Sequence, residues 1–171
     1  MSAARIIIDR LPAPVLVVAG GGPTADAIRG FDRVHDLGEE ISHWLALRTC
    51  TVNGHFLSHL LESTPVVADI ASVARVAIVD LFAFAVEDER RVDHWPHRWN
   101  VTSDSMAVRV ANVADAHELI LLKSIDFSFE GDWRRAGVEG AVDPFFADAV
   151  ARTPGLVVRA INFRRHREAG F

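Results

Sequence analysis

The sequence predicts an α/β fold, a three-layer αβα sandwich built on a mainly parallel, open sheet. Three observations carry this prediction. The runs VLVVA (residues 15–19) and ELILLK (118–123) are continuously apolar, without the in/out alternation of a strand that faces water on one side. Between such runs the apolar residues recur at helical spacing, so that strands alternate with helices along the chain. The length of 171 residues, half of them apolar, suffices for one compact core and demands no second one. A single domain over residues 1–171 is therefore expected, with 1–14 as an atypical N-terminus.

In chain order, Val15 to Ala19 reads as a strand buried on both faces that ends in Gly20-Gly21-Gly22. Pro23 or Thr24 opens a helix in which Ala25, Ile28, Phe31 and Val34 keep helical spacing, and Gly38 supplies its stop. A longer helix follows from about Glu39 to Leu61, with a wide apolar face that includes Ile41, Trp44, Leu47, Val52, Phe56 and Leu60. Pro65-Val66-Val67 and Ala77 to Asp80 read as short strands, and Leu81 to Arg91 as a helix. The stretch DHWPHRWNVTS (93–103) breaks the apolar pattern, and loops of that make-up on a rigid scaffold are where sites tend to be. Helix returns from Ser103 to about Ala114, Glu118 to Lys123 is a buried-type strand, a short helix follows, and Leu156 to Phe163 is the last strand.

Composition narrows the function classes. A net charge of -5 and a pI near 5.9 provide no basic field for a nucleic-acid backbone, so nucleic acid is not an expected partner. Cys50 is the single cysteine, which excludes an internal disulfide and a cysteine-rich metal site and fits a reducing cytoplasm. The N-terminal MSAARIIIDRLPAPV resembles neither a signal peptide nor a membrane span, so a cytoplasmic protein without a membrane partner is expected.

Three segments could carry chemistry. Three glycines between a strand and a helix leave backbone N–H groups bare, and with the helix dipole these can cradle phosphate or carboxylate; a tight turn with close helix packing explains the same residues. In NVTSDSMAVRVA (100–111), Thr102 or Ser103 can cap a helix whose first turn holds Asp104, a position the dipole favours for a carboxylate. The alternative is that Asp104 accepts hydrogen bonds from catalytic donors at the carboxyl edge of the sheet. Lys123, the only lysine, ends a strand at that same edge, where it either attracts phosphate or simply reaches out to water. His55 and His59 stand four apart on one helix and His94 and His97 flank Trp95-Pro96, but neither pair has an attached third ligand in the sequence, so they read as surface or packed histidines and no metal site is expected.

Taken together, VLVVAGGGPTADAIR, DRVHDLGEEISHWLAL, WNVTSDSMAVRVA and ELILLKS resemble segments of the amino acid kinase superfamily, which includes acetylglutamate, aspartate and uridylate kinases. The wording is most similar to a small-kinase branch linked to methanofuran and tetrahydromethanopterin-type one-carbon cofactors. The resemblance spans about Val15 to Lys123. It implies ATP and Mg²⁺ as cofactors, a small phosphate- or carboxylate-bearing acceptor, and a homodimer or hetero-oligomer. It assigns Asp104 and Lys123 to catalysis, Gly20, Gly21, Gly22, Arg29, His35 and His43 to the phosphate and acceptor, and Thr102, Ser103 and Ser124 to the nucleotide side; Asp32 would lie near the acceptor. Family members open with a strand and a Lys-x-Gly-Gly-Ser loop, and residues 1–14 contain neither lysine nor glycine. The expected fold therefore lacks the usual first strand, and the alternative to an active phosphotransferase is a non-catalytic, kinase-derived subunit acting in assembly or regulation.

Overall fold

A computed structural model of the chain describes residues 3–129 and 131–164; Met1 and Ser2 of the N-terminal stretch fall outside it. The described elements are α1 (Ala3–Ile8), β1 (Val15–Val17), α2 (Gly22–His35), α3 (Gly38–Leu60), β2 (Val66–Val67), β3 (Val76–Val79), α4 (Leu81–Asp88), α5 (Ser103–Val113), β4 (Glu118–Lys123), α6 (Trp133–Val138), α7 (Phe146–Ala151) and β5 (Val157–Asn162). The fold is α/β, as the alternation of strands and helices predicts, and every strand pairing is parallel. The strands form two sets, β1-β3-β2 and β4-β5, where the sequence predicts one open sheet. The chain divides into two compact units, Leu11–Ser103 and Met1–Arg10 with Asp104–Phe171.

In the unit Leu11–Ser103, β3 is the central strand. Val17 pairs with Ile78, and Val67 pairs with Val79, so the loops after β1 and β3 emerge at the same carboxyl edge. Ala77, Ile78 and Val79 are buried, and Leu47, Cys50, Leu61 and Leu81 join them in the core. Asp80 ends β3 and caps α4, its Oδ1 accepting from the Ala83 N–H at 3.1 Å and from the Thr51 hydroxyl at 2.6 Å. That side-chain oxygen satisfies a helix amide that would otherwise lack a partner. Helix α2 begins with Pro23 in its first turn, where the missing N–H costs nothing, and ends at Asp36 in a left-handed conformation.

In the other unit, α5 is largely buried. Residues Ser105 to Ala111 are buried in unbroken sequence, Met106 and Arg109 among otherwise small and β-branched side chains. Leu121, Ala136, Val142, Phe146 and Ala149 of this unit are buried as well. Strand β4 runs in register with β5, from Glu118 opposite Val157 to Lys123 opposite Asn162. Asp132 caps α6 by accepting from the Arg135 N–H at 3.0 Å.

Three expectations about burial are corrected. Strand β1 is three residues long and half-buried, and among the described residues it pairs with β3 alone; the faces of a strand are buried by the helices that pack on it, which its own apolar run does not specify. ELILLK is a strand, but Leu121 alone of its residues is buried, because burial of its faces depends on the layers packed over them rather than on its own apolar run. Phe31, Val34, Ile41, Val52, Phe56 and Leu60 keep helical spacing yet are exposed, so the apolar spacing of α2 and α3 exceeds what each helix buries. The single short helix expected between β4 and β5 is two, α6 and α7.

Candidate functional site

The glycine triplet joins β1 to α2 in a conformation that two of its residues require. A Cβ on Gly21 would lie 2.6 Å from the Ala25 Cβ and 2.8 Å from the Thr49 hydroxyl, closer than any side chain tolerates. Gly22 has φ +51°, in the left-handed region that glycine enters without cost. Asn53 of α3 secures the loop by donating its amide to the carbonyls of Gly20 at 2.6 Å and Gly21 at 2.8 Å. With the carbonyls held from behind, the start of α2 carries no side-chain cap, and the first N–H groups of a helix have no acceptor within it. Close packing and bare amides therefore coexist in one loop.

A cleft of about 250 Å³ opens beside this loop. Gly21, Gly22, Ala25, Asp26 and Arg29 line it from α2 and its N-cap, His43, Ala46, Leu47 and Cys50 from α3, and Arg98, Trp99, Val101, Thr102 and Ser103 from the segment that leads into α5. Of the residues the resemblance assigns to phosphate, acceptor or nucleotide, Gly21, Gly22, Arg29, His43, Thr102 and Ser103 thus share one cleft. Gly20 adjoins Ser103, whose hydroxyl lies 3.1 Å from where a Gly20 Cβ would stand. His35, the last residue of α2, is exposed and does not line the cleft.

Two arginines supply positive charge. Arg29 pairs with Asp26 at 2.7 Å and lies over the Trp99 ring, 5.3 Å from its centroid. The Trp99 indole N–H donates to Asp32 at 2.8 Å, and the second Asp32 oxygen accepts from the Gly38 N–H at 3.0 Å. That indole hydrogen bond is the largest influence holding the Asp32 carboxyl below its ordinary range. Asp32, expected near the acceptor, therefore fixes the tryptophan that forms the cleft wall. His43 is buried, and loss of water, reinforced by the positive charge of His97, pushes its pKa down to about 4. It is a neutral imidazole at pH 7 and brings a dipole rather than a charge to the cleft. Burial likewise pushes the Cys50 thiol up to about 12, so it is an inert packing group.

Asp104 and Lys123 form their own constellation in the other unit. Lys123, at the end of β4, donates to Asp104 in the first turn of α5 at 2.7 Å. The side chains are 21% and 19% exposed, so Lys123 does not simply reach out to water. Burial raises the Asp104 pKa, and the Lys123 charge opposes that rise without cancelling it. The neighbouring Asp143 adds to it through repulsion. Asp143 is itself buried and accepts from the Ser105 N–H at 2.9 Å and from the Ser105 hydroxyl, so it serves the α5 start that Thr102 or Ser103 was expected to cap. Ser124 follows β4 and is exposed.

Sequence reasoning passed over Arg98, Trp99 and Asp143. The first two lie in the aromatic, turn-rich stretch that marks a loop without ranking its residues. Asp143 precedes Pro144, and an Asp-Pro pair is a turn signal that could have singled it out.

Over 115 residues, which are 66% of this chain and 52% of the relative, the chain is 22% identical to "[5-(aminomethyl)furan-3-yl]methyl phosphate kinase" of Methanocaldococcus jannaschii. The distant relative is a kinase. The chain spans about half the length of this curated relative. No family model matches the chain. Among the described residues, no helix is long and apolar enough to cross a membrane.

Proposed function

We propose that the chain is a kinase-like phosphotransferase domain that uses ATP with Mg²⁺ and phosphorylates a small acceptor bearing phosphate or carboxylate. The observation that carries this reading is the cleft, which Gly21 and Gly22 at the uncapped start of α2 line together with Arg29 and Arg98. Amide dipoles and guanidinium groups both favour an anion, and arginine can hold phosphate or carboxylate through two parallel hydrogen bonds. The distant kinase relative supports phosphoryl transfer as the reaction class.

In such a transfer the bond from the γ-phosphorus to its bridging oxygen breaks, a new P–O bond forms to an acceptor oxygen, and ADP leaves with the bridging electrons. The protein's part is alignment and stabilisation of the spread negative charge. We assign Gly21, Gly22, Arg29 and Arg98 to holding the anionic group of the acceptor. Asp104 and Lys123, with Ser124, are assigned to the nucleotide. Mg²⁺ binds mainly through nucleotide phosphates with one or two carboxylates, and Asp26 in the cleft is an oxygen donor of the kind it accepts. When bound it neutralises charge on the transferring group.

Calorimetry with ATP and ADP in the presence of Mg²⁺ tests the proposal. Saturable nucleotide binding by the folded chain, and phosphate binding weakened by Arg29→Ala and by Arg98→Ala, are expected. A folded chain that binds neither nucleotide overturns it.

A further inference from the structure

The turn after α4 holds a cluster that the cleft does not use. Glu89 closes α4, and its Oε1 lies 2.8 Å from His97 Nε2 and 3.3 Å from His94 Nδ1. One potential ligand atom from each of the three residues lies within 4.8 Å of the others. On the far side of the His97 ring, Nδ1 is 2.8–2.9 Å from both carboxylate oxygens of Glu40, in the first turn of α3.

We propose that Glu89, His94 and His97 bind a divalent transition metal of the zinc class, with Glu40 as the outer carboxylate that orients His97. The geometry argues this in two steps. A metal-binding histidine usually donates its second ring N–H to a carboxylate, which fixes the tautomer and turns the other nitrogen's lone pair toward the ion. Glu40 meets that requirement at Nδ1, and Nε2 consequently faces Glu89 and His94. Two imidazoles and one carboxylate form a donor set that suits zinc and its neighbours, whereas Mg²⁺ and Ca²⁺ select all-oxygen sites. Bonds of about 2.0–2.2 Å place tetrahedral ligand atoms roughly 3.3–3.6 Å apart, so the ion would open the Glu89–His97 contact from 2.8 Å while the exposed His94 turns inward to complete the set. Three protein ligands leave a position for water.

The ion would tie the end of α4 to the segment that walls the cleft. His97 stacks on His43 with ring centroids 5.0 Å apart, and Arg98 and Trp99 follow directly in sequence. This is independent of the phosphotransferase reading and takes a different ion.

The test uses the full chain, stripped with a chelator and titrated with Zn²⁺ by calorimetry and with Co²⁺ by visible absorption. One equivalent of each metal is expected, with Co²⁺ giving the intense bands of a tetrahedral site. His94→Ala, at an exposed residue that leaves the fold intact by circular dichroism, should weaken binding at least about 10-fold, and loss of the outer carboxylate in Glu40→Gln should weaken it about 10–100-fold. The double variant His55→Ala/His59→Ala removes the helical histidine pair and should leave binding unchanged. Absence of saturable binding, or binding that follows His55 and His59 and survives His94→Ala, overturns the proposal.

Discussion

Lys123 and Asp104, nineteen residues apart, meet at 2.7 Å because the end of β4 faces the first turn of α5. The contact joins the sole lysine to a carboxylate whose pKa is raised by burial despite it. Removing one member leaves the other partly desolvated without its charge partner. Lys123→Ala should destabilise the fold by roughly 1–2 kcal/mol, between the values for exposed and buried pairs, whereas Asp104→Asn should cost less because it also removes the ionisation that burial disfavours. Urea unfolding of the two single variants and the double variant measures the coupling, and purely additive losses would show that the pair contributes nothing.

Ionisation of Asp104 should oppose folding. Its folded pKa lies above its ordinary value of 3.8, so the folded state binds the proton more tightly. The resulting stability is fully present below the unfolded pKa and is lost as pH rises through the folded one. The carbon-13 carboxyl titration of Asp104 should have a midpoint above 3.8. A midpoint at or below that value would refute the assignment.

The three glycines should differ in cost. Gly21→Ala drives a methyl into Ala25 and Thr49, and should destabilise by roughly 1–3 kcal/mol as an overpacked site. Gly22→Ala meets only backbone strain, about 1–2 kcal/mol for a left-handed residue. Gly20→Ala meets one hydroxyl that can rotate away, and should be the mildest. Thermal unfolding of the three variants gives the ranking, and a Gly20 variant worse than the Gly21 variant would contradict it.

Cys50 should be silent toward thiol reagents in the folded protein. Its thiol is buried and its pKa is pushed to about 12, so little thiolate exists at pH 8. Ellman's reagent should titrate one thiol in urea and essentially none under native conditions. Rapid native labelling would mean that the cleft opens as far as Cys50.

Asp32→Ala should release the Trp99 indole. The loss of one hydrogen bond predicts a small destabilisation, lessened as water compensates at this half-exposed position. Tryptophan emission should shift to the red in Asp32→Ala, and the shift should disappear when Trp99→Phe is added. An unchanged spectrum would show that other contacts fix the ring.

The parts of this molecule legible in sequence are those set by local chemistry. Gly22–His35 and Gly38–Leu60 follow from apolar spacing punctuated by Pro23 and Gly38, and Glu118–Lys123 is a strand over the expected residues. Burial was less legible, because exposure of Val15 or Leu122 depends on what packs over the faces of its strand rather than on its own run. The same holds for the sites. A glycine triplet at a strand end shows in sequence, and so does a strand-terminal lysine. That Asp32 reaches Trp99, or that Glu89 reaches His97 and His94, depends on the path of the chain between them, which no spacing rule records.

The wedge formed by Gly21, Ala25 and Thr49, with Asn53 holding the carbonyls of Gly20 and Gly21, means that the loop is preorganised. Its shape is fixed by folding, before any anion arrives, so binding need not spend free energy on ordering it. Under the proposed function, selectivity would then fall to the walls. The loop would offer the same amides to every anion that fits, and discrimination among acceptors would rest with Arg29, Arg98 and Trp99, which line the same cleft.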